Sequence, residues 1–476
     1  MEASAGQGNT IGIRAIGTAV PPTVIRQEAL RDLLAAQPQL GRLGRRLVTA
    51  AFDASAIETR HTVLEEFGDG SRPVHPPLYG LQAGPETSTP PIVANPGTGA
   101  RNAAYVEHSK PLIVEAARAA FESLPRLTPA DITHVVTVSC TGFFAPGPDQ
   151  VLVRELGLDA GVQRYHLGFL GCYAAFPALR AAKQFCEADA EAVVLVVSVE
   201  LCSLHLHVSD DPDTIVASSV FADGAAAAIV TGRDFSARQR QQPQAQQHQP
   251  TREHQHPQPT PETPRNPQAG RMLALDSFRT ALLPEAETEM AWTIGDHGFD
   301  MVLSTYVPKI LEQHAGEAIR PLLDADPELV DVEPRDVDLW AIHPGGRSIL
   351  DRVQSALDLD DRQLDASREV LRDFGNMSSA TVLFVLKRLL EATPEPAREL
   401  VGAAQGQARG MHAPTLADTP ARLAPTSAPT PTSAPTPPGA PETADAPESA
   451  DARRVCAMAF GPGLTVETAL LTLRDA

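Results

Sequence analysis

Three residues of this 476-residue chain combine a reactive or hydrogen-bonding side chain with surroundings suited to covalent acyl chemistry. Cys172 stands in Phe169-Leu170-Gly171-Cys172-Tyr173-Ala174-Ala175-Phe176, where an apolar run reaches Gly171 and a helix-forming segment follows. A thiol at such a strand-to-helix turn meets the macrodipole and free N–H groups of a helix N-terminus. Both favour the thiolate that attacks acyl carbonyls. His343 stands in Trp340-Ala341-Ile342-His343-Pro344-Gly345-Gly346-Arg347, where the Gly-Gly pair lets a substrate approach the backbone. Asn376 stands in Phe374-Gly375-Asn376-Met377-Ser378-Ser379-Ala380, ahead of an apolar helical segment. Each has a plainer use: a buried thiol, a structural imidazole, a turn or cap residue. Together they form a constellation for acyl transfer. Cys172 would be the nucleophile and His343 its thiolate-stabilising partner. His343 and Asn376 would jointly donate hydrogen bonds to a thioester oxygen.

Such residues need strand ends and helix starts to hold them. Hydrophobic patterning supplies strands over 10–20, 132–140, 162–170, 192–200, 225–230, 272–279 and 339–342, with a final pair at 455–460 and 466–473. Helical periods fall at 26–34, 40–52, 108–124, 151–156, 173–186, 301–314 and 379–391. Alternation of the two predicts an α/β layered fold with buried sheets. A faint internal echo supports duplication. Phe221-Ala222-Asp223-Gly224-Ala225-Ala226-Ala227 and Phe460-Gly461-Pro462-Gly463-Leu464-Thr465-Val466 each place an aromatic before a Gly-containing turn and an apolar strand.

The 43 prolines are unevenly spread. Residues 236–270 hold ten Gln and seven Pro, and residues 403–452 hold ten Pro. Both stretches read as extended, solvated, disordered insertions without the apolar residues to build a core. Without them 391 residues of near-normal composition remain. Net charge is −20, and no basic stripe marks a nucleic-acid surface. The longest apolar stretch, 192–204, is broken by Glu200 and falls short of the roughly 20 residues that span a bilayer. No secretory signal is visible at the N-terminus. Five cysteines without CxxC spacing fit a reducing cytoplasm better than a disulfide framework or a zinc site.

At its chemistry-bearing residues the sequence resembles the type III polyketide synthases, the chalcone-synthase-like family of the thiolase superfamily. The resemblance rests on Cys140-Thr141-Gly142 with Pro146-Gly147, Gly171-Cys172, Phe221-Ala222-Asp223-Gly224-Ala225, Ile342-His343-Pro344-Gly345-Gly346, Gly375-Asn376-Met377-Ser378-Ser379-Ala380 and Gly461-Pro462-Gly463. It implies a thiolase-like, duplicated, five-layered αβαβα fold assembled as a homodimer. The N-terminal half (1–235) would carry the nucleophile. The C-terminal half (271–476), interrupted by 403–452, would carry His343 and Asn376. It further implies acyl-CoA and malonyl-CoA as substrates, no metal or organic cofactor, and iterative decarboxylative condensation on Cys172 followed by cyclisation.

Phe221 would be the gatekeeper between CoA tunnel and cavity. Cys140, Thr141, His205, Met301, Gly345 and Gly346 would line the pocket, and Arg60, with Arg45 and Arg46, would meet the anionic CoA. Cys140-Thr141-Gly142-Phe143-Phe144-Ala145-Pro146-Gly147 and Ile294-Gly295-Asp296-His297-Gly298-Phe299 resemble bacterial members making alkylresorcinols or alkylpyrones. A carrier-protein-dependent ketoacyl synthase III shares fold and triad and is the alternative, though it would want a basic docking face for its acidic partner.

Overall fold

The computed structural model describes residues 10–68, 75–81, 91–233, 270–283, 286–392 and 452–475. Apart from Gly270 and Ala452, both Pro-rich stretches lie outside the described residues. So does a small second unit, Thr393–Glu448.

Among the described residues the N-terminal part holds β1 (Gly12–Ala19), β2 (Thr23–Arg26), α1 (Gln27–Ala35), α2 (Arg42–Ala54), β3 (Thr59–Thr62), α3 (Thr98–Ser123), β4 (His134–Ser139), α4 (Pro148–Leu156), β5 (Gln163–Gly168), α5 (Ala175–Ala188), β6 (Val193–Leu201), α6 (Pro212–Val220) and β7 (Asp223–Thr231). The C-terminal part holds β8 (Arg271–Leu282), β9 (Met290–Gly295), β10 (Gly298–Leu303), α7 (Val307–Leu323), β11 (Leu339–Ile342), α8 (Arg347–Leu357), α9 (Asp365–Phe374), α10 (Thr381–Glu391), β12 (Arg453–Gly461) and β13 (Thr465–Asp475). No described helix is long and apolar enough to cross a membrane.

Nine strands join in the order β11-β12-β13-β8-β1-β7-β6-β4-β5. Read outward from the β1–β8 seam, the two sides repeat one pattern. An antiparallel neighbour comes first (β7 or β13), then another (β6 or β12), then a parallel one (β4 or β11). The seam itself is thin, pairing only Gly12 with Ala274 and Ile13 with Leu273. The echo in the sequence has its physical counterpart here. The two strands it precedes, β7 and β13, occupy the same place in each repeat.

Burial alternates with period two and both faces are covered, as a sheet between helix layers requires. In β6, Val193, Leu195, Val197 and Val199 pack toward α3, while Val194 and Val196 join the core around α5 and α10. In β12, Val455, Ala457 and Ala459 face that same central core. Cys456, Met458 and Phe460 face α7 and α8. The layers are therefore helix, sheet, paired central helices, sheet, helix. The central position explains α10: its residues Thr381–Leu386 are all buried, so it reads as a continuous apolar run.

Two elements differ from the expected ones. Met301 was assigned to a helix over 301–314. It lies instead in β10, the second strand of an antiparallel hairpin with β9, and the helix begins at Val307. The turn Gly295-Asp296-His297-Gly298 is the signal that outweighs the apolar run after it, with Gly298 at φ +121°. Helix α3 starts at Thr98, ten residues before the expected 108, because Gly97 precedes it in extended backbone and the early turns bury Arg101 and Tyr105.

Candidate active site

Cys172 lies in the turn between β5 and α5, three residues before the helix begins. Phe169 at φ +60° and Gly171 at φ +85° build that turn. A Cβ on residue 171 would sit 2.4 Å from Cδ of Pro462, so glycine lets this turn meet the β12–β13 turn. His343 follows β11 directly, its N–H donating to the Met458 carbonyl at 2.8 Å. Asn376 lies in the short connection between α9 and α10. Its Oδ1 accepts from the Ser378 N–H at 2.8 Å, which turns Nδ2 toward the Gly345 carbonyl at 3.2 Å. One amide hydrogen remains for a further acceptor.

These three residues line one cavity of about 520 Å³, its mouth included, together with Phe221, Met301, Gly345, Trp292 and Ser378. The hairpin forms one wall through Met290, Ala291, Trp292, Met301, Val302 and Leu303. A second, mostly apolar cavity lies beyond Phe221 and Met301, which line both.

Electrostatics revises the expected thiolate. Burial pushes the Cys172 thiol up to about 12, against the opposing pull of the Ser378 and Asn376 side chains. Burial likewise drives His343 down to about 3. Among the described residues neither imidazole nitrogen has a hydrogen-bond partner. The resting pair is therefore a neutral thiol and a neutral imidazole with no hydrogen bond between them. Loss of hydration outweighs the helix N-terminus because Cys172 stands three residues outside it, and the dipole at that end acts only near the first turn.

Other expected pocket residues sit elsewhere. Cys140 is fully buried, its Sγ accepting from the Gly171 N–H at 3.0 Å. Thr141 is buried and donates to Glu200 Oε2 at 2.9 Å. His205 donates from Nε2 to the Thr141 carbonyl (2.8 Å) and accepts at Nδ1 from the Phe299 N–H (3.0 Å). With both nitrogens engaged and its ring stacked on Phe299, it is a strut that borders the second cavity. Gly346 caps α8 in extended backbone and does not line the first cavity. Arg60 is 2% exposed and cannot meet a phosphate at a surface mouth. Arg45 spends its guanidinium on the Leu40 and Gln37 carbonyls.

Sequence reasoning passed over two features. Glu200, noted only as a break in an apolar run, is fully buried and accepts from the Cys140 N–H, the Thr141 hydroxyl and the Ser379 hydroxyl. A charge inside a buried strand was the available signal. Trp292 packs within 6.4 Å, centroid to centroid, of Phe169, His205, Phe221 and Phe299. It was missed along with the hairpin.

The N-terminal domain signature of the chalcone and stilbene synthases matches residues 1–234, and the C-terminal domain signature matches 274–412. The Gln/Pro-rich stretch falls in the gap between them. The 1,3,6,8-tetrahydroxynaphthalene synthase of Streptomyces peucetius subsp. caesius is 31% identical over 392 residues, covering 81% of this chain and 87% of that protein. An alpha-pyrone synthesis polyketide synthase-like protein of Mycobacterium tuberculosis is 30% identical over 287 residues. That match covers 60% of this chain and spans 64% of the relative's length. Among solved structures, PKS-I of the brown alga Ectocarpus siliculosus shares the fold at TM-score 0.70 and 24% identity, with 99% of this chain and 100% of that one covered. The 1,3,6,8-tetrahydroxynaphthalene synthase of Streptomyces coelicolor A3(2) shares it at TM-score 0.66 and 22% identity, with 98% and 100% covered. The chain therefore belongs to the chalcone and stilbene synthase family.

Proposed function

We propose that this chain extends an acyl-CoA starter with malonyl-CoA, iteratively, on Cys172. The observation that carries this reading is the gathering of Cys172, His343 and Asn376 on one otherwise mostly apolar cavity. The neutral His343 imidazole is the base to which the thiol proton passes as the starter thioester arrives. The sulfur then attacks the carbonyl, CoA leaves as its thiol, and the acyl group remains on Cys172. Malonyl-CoA next loses CO2. Negative charge moves onto its thioester oxygen, where His343 and the remaining Asn376 N–H are fixed donors. The enolate carbon attacks the Cys172 thioester, forming the new carbon–carbon bond and releasing the sulfur. Phe221 and Met301 are the gate between the two cavities.

The finer reading is a resorcinol or pyrone product built on a long-chain acyl starter. The second cavity supports it, since Ile25, Leu30, Leu64, Phe67 and Leu206 would bury an alkyl chain. The same reading includes two halves, 1–235 and 271–476, with 236–270 and 403–452 as insertions. It includes a homodimer, for which the edge strand β5 offers unpaired backbone and exposed side chains from Gln163 to His166. A cytoplasmic location suits the five cysteines, all free.

The test is purified protein with malonyl-CoA and a panel of acyl-CoAs of graded length, read by mass spectrometry. Extended, cyclised products without a carrier protein are expected. Turnover that appears only with a carrier protein would replace this reading with a ketoacyl synthase.

A further inference from the structure

We infer that Arg60 is the positioning residue that holds the Phe221 gate and Asn376 in register; the inference rests on the polyketide synthase reading above. Arg60 lies in β3, paired with Ile25 of β2, and its side chain is buried beneath the gate on the wall of the second cavity. Nη1 donates to the Ser218 carbonyl at 2.9 Å and to the Phe221 carbonyl at 2.7 Å. These oxygens belong to the last turn and C-cap of α6, where carbonyls lack helical partners and negative potential accumulates. Gln27, the first residue of α1, completes the cap, its Nε2 donating to the Ser219 carbonyl at 2.8 Å. The segment that delivers Phe221 is thus capped by a cation and an amide rather than by solvent.

The same side chain reaches the other member of the site. Its stem packs on Gly375, the residue before Asn376. A Cβ on residue 375 would lie 2.9 Å from Arg60 Cγ and 3.1 Å from the Val220 carbonyl. Glycine, at φ +70°, is what permits that approach. Gate and donor are also stitched together directly. The Asn376 N–H donates to the Val220 carbonyl and its own carbonyl accepts from the Ala222 N–H, both at 2.8 Å. Arg60 therefore touches both strands of this small bridge. Burying a guanidinium is expensive, and here it is offset by two carbonyl bonds, the nearby Asp223 carboxyl and the face of Phe52 at 5.4 Å. Among the described residues Nε and Nη2 have no hydrogen-bond partner, so the cation is held by the α6 carbonyls rather than by a complete ion pair.

The test compares Arg60→Met and Arg60→Lys in the full-length protein, with malonyl-CoA decarboxylation and iodoacetamide labelling of Cys172 measured side by side. Loss of charge-assisted bonds to the gate should lower kcat for decarboxylation about 30-fold in Arg60→Met. Labelling should change far less than decarboxylation, because the thiol lies outside the bridge and meets it only through the Asn376 side chain; lysine, which can still reach one carbonyl, should restore part of the loss. A folded Arg60→Met enzyme with wild-type decarboxylation overturns the inference. So does a loss in which decarboxylation and labelling fall together, the mark of a merely structural role. If Arg60→Met does not fold, Arg60→Lys decides by the same two readouts. Wild-type protein that leaves malonyl-CoA intact fails the polyketide synthase reading itself, and this inference with it.

Discussion

The two repeats of the sheet share their strand order and differ in what they bring to its carboxyl ends. Strands β6 and β12 are both nine residues long and pair alike with β4 and β11. Two residues past the last paired position, β6 carries Glu200 and β12 carries Phe460. Glu200 gathers three donors in a buried polar knot, whereas Phe460 lines the cavity. The connection into α5 carries Cys172 and the connection into α10 carries Asn376. One scaffold has been used twice and its chemistry only once. On the proposed reading the first repeat supplies the nucleophile, beside the buried Glu200, and the second supplies hydrogen-bond donors and apolar wall.

Removing the first repeat's contribution is expected to be total. Cys172→Ala should bring condensation below detection while leaving the thermal midpoint within about 2 °C, since a methyl group replaces a thiol at a partly open cavity wall. Product that survives the substitution would transfer the acyl group to some other residue. The second repeat should matter by degrees. His343→Gln should slow malonyl-CoA decarboxylation by about 10²–10³-fold, the usual cost of one oxyanion donor. It should leave Cys172 labelling within a few fold, because in the resting enzyme no hydrogen bond joins imidazole and thiol and the proton passes to His343 only as a thioester arrives. Labelling that collapses with His343 would put the two back into a coupled ion pair.

A pH series on the thiol sharpens the same point. With the thiol held up to about 12, its labelling rate should climb about tenfold per pH unit from pH 7 to pH 9 without a plateau. A plateau starting near neutrality would mark a thiolate already formed, as the helix-start position alone suggested.

Much of this architecture is written locally and much is not. Strands such as Val193–Leu201 are legible because both faces are buried, so β-branched residues run on without a break. The sequence around Cys172, His343 and Asn376 announced strand ends and helix starts, which is where the fold puts them. What failed depended on contacts between distant segments. Arg60 looks like a surface cation until α6 is laid over it. His205 looks like a ligand until Thr141 and Phe299 claim its nitrogens. The β9–β10 hairpin is outside the main sheet, so its strands owe less to deep burial and their pattern is weak: Thr293, Ile294, Asp300 and Val302 are exposed. Its wall of Trp292 and Met301 therefore had no periodic signature to find.

The smallest predicted effect tests Glu200, the buried acid whose counterpart in the second repeat is Phe460. Burial raises the Glu200 carboxyl from its ordinary 4.5 to about 7, against the hydrogen bonds it accepts. The folded chain then holds a proton that the unfolded chain releases between those values. Glu200 thus contributes stability fully below pH 4.5 and loses it as pH rises through 7. Asp223, raised from 3.8 to about 6, adds the same slope at lower pH. Glu200→Gln cannot ionise; with its carbonyl oxygen in the Oε2 position it keeps the acceptor for the Cys140 N–H and the Thr141 hydroxyl and turns its NH2 toward Ser379. Between pH 5 and pH 8 the wild type should lose roughly 1–3 kcal/mol relative to the variant, read as diverging urea midpoints. Parallel pH curves would mean that the three donors hold Glu200 ionised throughout. The buried knot of the first repeat would then be a fixed charge facing Cys172, and part of the reason its thiol keeps its proton.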